Sequence, residues 1–90
     1  MNRFIRSATR SINTSLPIEI SDFQFEDLLK NGYVDAKWEP HIKIFLQEAP
    51  IELLHNLVIS GATTFPTLNS LYQQYAKFSD TREWVHAMSK

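Results

Sequence analysis

Residues 66–78 read PTLNSLYQQYAKF, and the spacing within them decides the fold class. Leu68, Leu71, Tyr72, Tyr75 and Phe78 recur at about 3.6-residue intervals, while Asn69, Ser70, Gln73, Gln74 and Lys77 take the opposite side. Pro66 suits the first turn of a helix, where a missing N–H leaves no bond unmade. Working outward, proline and glycine cut the chain at Pro17, Gly32, Pro40, Pro50 and Gly61. The pieces between these marks also read as helices.

Upstream, IELLHNLVIS runs from Pro50 to Gly61 with Ile51, Leu53, Leu54, Leu57 and Val58 on one arc. HIKIFLQEA follows Pro40 and groups Ile42, Phe45, Leu46 and Ala49, with Ile44 expected on the polar side. Ser21 and Gln24 have capping-box spacing, and Gly32 stands where a C′ glycine belongs, so a helix is expected between them. Phe25, Leu28 and Leu29 form its apolar side and Phe23 points away. Downstream, Asp80 and Glu83 can cap a last helix that buries Trp84, Val85 and Met88. No segment alternates with period two. The expected fold is all-α, a small bundle of about five short helices, with its stability centred on residues 66–88.

The N-terminus is different in kind. The first eighteen residues, MNRFIRSATRSINTSLPI, hold three arginines and no acid, whereas the other seventy-two hold six Lys/Arg and ten Asp/Glu. A chain of net charge −1 is thus a +3 arm on a −4 body. On a helix, Arg3, Arg6 and Arg10 fall together, and Phe4, Ile5, Ala8 and Ile12 fall on the other side. The expected division is a basic arm and linker over residues 1–20 and a helical domain over 21–90. Arg-rich, Ser/Thr-rich, acid-free and amphipathic is the composition of a mitochondrial targeting segment. The other readings are an amphipathic first helix that docks on its own body, or a retained helix that lies on an anionic membrane or RNA. The expected location is mitochondrial, on the matrix side, or cytoplasmic if the source is a bacterium or phage.

Composition excludes several chemistries. With no cysteine there is no disulfide, thiolate metal site or Cys nucleophile. No run approaches the ~20 apolar residues of a membrane-spanning helix. No G-x-S-x-G, phosphate loop or H-E-x-x-H motif is present. Two Glu-x-x-His pairs, Glu52/His55 and Glu83/His86, match the spacing used in di-iron bundles. Glu26 and Glu48 could nominally complete such a set. However, Glu52 lies opposite its helix's apolar arc with His55 near the arc's edge, and Glu83 and His86 lie opposite theirs. Both pairs are therefore expected to face water, and neither a metal nor a cofactor is expected. His41, in a first turn, is expected to cap or to be solvated.

The run NSLYQQYAKFSD, followed by a short helix ending in Met88, resembles a single pentatricopeptide repeat. Such repeats are helical hairpins that stack in mitochondria and chloroplasts and read single-stranded RNA. Ser79 stands where that repeat has glycine, and Trp84 where it has a small residue. With no second repeat to stack on, the segment reads as a plain αα-hairpin.

The expected function is that of a non-enzymatic accessory or assembly subunit of a larger complex. Arg3, Arg6, Arg10, Phe23 and Ile44 are its partner-binding residues. The alternatives are a small bacterial or phage regulatory or inhibitory protein, and an RNA-associated helical-hairpin protein. Three arginines are few for a nucleic-acid footprint, because each phosphate contact adds only about one unit of salt slope. Membrane contact, if any, would be peripheral and weak.

Overall fold

The computed structural model describes residues 2–76. Among them are α1 (Arg3–Asn13), α2 (Asp22–Asn31), α3 (Glu39–Glu48), α4 (Ile51–Ile59) and α5 (Phe65–Leu71). A 3-10 turn, Ala36–Trp38, leads into α3, and a π-helical turn, Tyr72–Ala76, continues α5. The described residues contain no strand, so the fold is all-α. The expected last helix, with Asp80, Glu83, Trp84, Val85 and Met88, lies outside the described residues.

The helix boundaries follow local chemistry. The Gln24 amide donates to Ser21 Oγ at 3.1 Å and the Ser21 amide to Gln24 Oε1 at 3.4 Å, closing the capping box of α2. Gly32 ends α2 at φ 68°, a left-handed conformation that a side chain disfavours. Asn2 caps α1, accepting from the Phe4 amide at 2.8 Å. Its Nδ2 donates to Ser60 Oγ at 2.8 Å, which ties the start of α1 to the end of α4. Thr64 caps α5 by accepting from the Thr67 amide at 3.2 Å. Beyond Leu71 the expected α-helix widens into the π turn; Leu68, Leu71 and Tyr72 remain buried across it.

One core unites all these elements. Phe25 of α2 meets Phe45 of α3 edge-to-face, with ring centroids 5.0 Å apart. Leu54 and Leu57 of α4 and Leu68 and Leu71 of α5 join the same cluster. So do Ile5, Ala8 and Ile12 of α1, which are 0%, 1% and 2% exposed. The expected boundary at residue 20 therefore does not divide the core. α1 packs against α2, α3 and α4. Burying Ile5 and Ile12 contributes roughly 1.5–3 kcal/mol each, a large share of the ~5–15 kcal/mol that holds a domain of this size together. Thr9 joins the buried side because its hydroxyl donates to the Ile5 carbonyl at 2.6 Å, so no polar group is left bare.

Two further expectations change. His41 is neither solvated nor a cap. It is buried, its Nε2 bonds the Ile18 carbonyl oxygen, and its ring stands edge-on to Trp38 at 5.0 Å. Ile44 is half-buried rather than on a free polar side, because α1 lies along that flank of α3.

Candidate docking face on helix α1

Burying one side of α1 aims its other side outward. Arg3, Arg6 and Arg10 are all exposed. Arg3 lies against its neighbour, its guanidinium carbon 4.9 Å from the centre of the Phe4 ring. Among the described residues none of the three arginines forms an ion pair. The cause lies in the local sequence: α1 has no acid in its first turn or anywhere along its length.

The two flanks of α1 differ. On one, Arg6, Thr9, Arg10 and Asn13 meet Ser21 and Asp22 of the next helix across an open depression of about 300 Å³. Phe23, the following residue in the first turn of α2, is 75% exposed. On the other flank, Ala8 and Ile12 meet Ile44, Phe45, Ala49 and Leu53 across a groove of about 260 Å³. The structure therefore sets Arg6 and Arg10 beside the end of α2 that carries Phe23. It places Ile44 in a separate groove between α1, α3 and α4, lined by both apolar and polar side chains, Ser11 and Glu48 among them.

Further apolar side chains lie open that the periodicity did not single out: Ile18 at 66%, Tyr33 at 71% and Ile59 at 73% exposure. Ile18 sits in the connection between α1 and α2, where no helical wheel assigns a side.

The other polar candidates form no cluster. Glu52 and His55 are both exposed on α4, facing water as expected, and Glu48 is also exposed. Glu83 and His86 lie outside the described residues. Among the described residues no group of three or more His, Asp or Glu is placed to hold a metal. No described helix is long and apolar enough to cross a membrane. No family model, curated protein or solved structure matches the chain.

Proposed function

We propose that this protein is a non-enzymatic accessory or assembly subunit that docks on a larger protein complex through the outer side of α1. The observation that carries the reading is the double use of that helix. Its apolar side is spent on the core through Ile5, Ala8 and Ile12, while Arg3, Arg6 and Arg10 extend into solvent and form no ion pair among the described residues. Three charged side chains held on a rigid element suit recognition better than three on a free tail, because less freedom is lost on binding. Phe23, exposed in the first turn of α2, supplies an aromatic anchor of the kind that concentrates binding energy.

A matrix-side mitochondrial location fits the Arg-rich, acid-free composition of α1. In that setting α1 would stay on the mature protein, since cutting it away would strip two isoleucines and Ala8 from the core. Fusion of a fluorescent reporter to the C-terminus, followed by sequencing of the recovered N-terminus, tests both points. Mitochondrial signal with an intact α1 is expected. The docking claim is tested by tagging the full chain and purifying it from its native source. One complex should accompany the wild type and be lost from the Arg3/Arg6/Arg10→Ala triple variant. A triple variant that retains the complex would exclude this face.

A further inference from the structure

We infer that the Arg6–Arg10 face takes an acidic protein segment with discrete carboxylates and at least one apolar side chain, rather than a phosphate strand or an anionic lipid surface. The inference rests on the docking reading above and names the chemistry of the partner. Arg6 and Arg10 are four residues apart on α1, so their guanidinium groups project from one side of the helix. Each presents a planar fork that can bind a carboxylate through two parallel hydrogen bonds. Both are exposed and without an ion pair among the described residues.

What surrounds them selects the partner. Asp22 lines the same depression, and Glu19 is exposed in the connection leading to it. A nucleic-acid strand or an anionic membrane carries negative charge at close, regular intervals. Laid across this face, either would set phosphates against Asp22 as well as on the arginines. A peptide can place carboxylates opposite Arg6 and Arg10 and leave Asp22 facing a neutral residue. Lipid has a second obstacle: the apolar side of α1 that would enter a bilayer is buried in the core. The aromatic side chain of Phe23, at the same end of α2, is open to an apolar residue of the segment.

The test is a selection of random peptides about 12 residues long, displayed on phage, against the folded full chain and against R6E/R10E. Selected peptides are then synthesised and their binding compared with that of a uridine oligonucleotide and of phosphatidylserine vesicles. Both substitutions are at exposed positions, and thermal melts confirm that the variant is folded. The expected result is enrichment of sequences in which two or more Asp/Glu flank Leu, Ile or Phe. Their affinity should fall roughly tenfold or more in R6E/R10E and by a smaller factor in Phe23→Ala. Enrichment of neutral or basic sequences, no enrichment over the variant, or tighter binding of the oligonucleotide or vesicles would each overturn the inference. The native-source purification separates this from the parent reading. A complex that survives R6E/R10E keeps the subunit role and removes this face from it. Acidic peptides that bind through Arg6 and Arg10 without any native complex keep the face and remove the subunit role.

Discussion

The carboxamide of Asn13 pairs with both backbone polar groups of Ile20: Asn13 Nδ2 donates to the Ile20 carbonyl and the Ile20 amide donates to Asn13 Oδ1, each at 3.0 Å. A side chain here does what a partner strand would do. It closes the connection that reverses the chain between α1 and α2 and holds Ile20, 2% exposed, in the core. A second fastening comes from α3, where His41 bonds the Ile18 carbonyl. Through these two contacts the position of α1, and with it the arginine face, is set against α2 and α3.

Asn13→Ala removes both bonds and leaves part-buried groups of Ile20 unpaired. Each bond contributes about 0.5–1.5 kcal/mol, so a loss of about 1–3 kcal/mol is expected. In a domain of this size that lowers Tm by about 4–24 °C, at ~4–8 °C per kcal/mol. Asn13→Asp keeps the acceptor and loses the donor, and should fall between the two. Urea unfolding of the three chains checks the order.

His41→Ala should destabilise by about 2–4 kcal/mol. It empties a buried site beside Trp38 and leaves the Ile18 carbonyl without its donor. His55→Ala, at an exposed position on α4, should stay within about 0.5 kcal/mol of wild type. Equal effects from the two histidines would mean that His41 is misplaced.

A chain that begins at residue 17 should fail to fold cooperatively. It lacks Ile5, Ala8 and Ile12 from the core and both partners that fasten α1, Asn2 and Asn13. Leu71→Ala, at a fully buried position in α5, is the internal comparison and should cost about 2–5 kcal/mol. Far-UV circular dichroism with thermal melting decides the point. A truncated chain with a sharp transition near that of the wild type would restore the arm as a detached element.

Burial raises the pKa of Tyr75 above its ordinary value of about 10, and the Glu39 carboxylate and Tyr33 add to the shift. A phenol that holds its proton more tightly in the folded chain stabilises the fold below the unfolded value. That contribution is lost as pH climbs from about 10 through the folded value. The wild type should therefore lose stability on going from neutral pH to about pH 11, and part of the loss should be absent from Tyr75→Phe. Parallel denaturant titrations of the two chains measure the difference.

Much of this fold was legible because its boundaries are made by single residues. Ser21 with Gln24, Gly32, Pro40 and Pro50 each act within one turn, and each marks the element they suggest. Leu68, Leu71 and Tyr72 announced a buried face by spacing alone. The role of α1 was not legible in the same way. Ile5, Ala8 and Ile12 form an apolar stripe that serves equally for a membrane, a receptor or a core, and only tertiary packing chooses. The half-burial of Ile44 and the burial of His41 follow from that choice, because α1 covers one flank of α3 and the α1–α2 connection covers another. Of the docking residues, the arginines were visible as a charge asymmetry and Phe23 as an off-face aromatic. Their division from Ile44 is a matter of which helices flank α1, and spacing along one chain does not encode it.

The central claim is that α1 serves the core with one side and a partner with the other. Tagged full-length wild type and R6E/R10E, purified in parallel from the native source with thermal melts of both, test it most directly. The account predicts closely matching melts and a complex that accompanies only the wild type. An equal complex on both chains would contradict it.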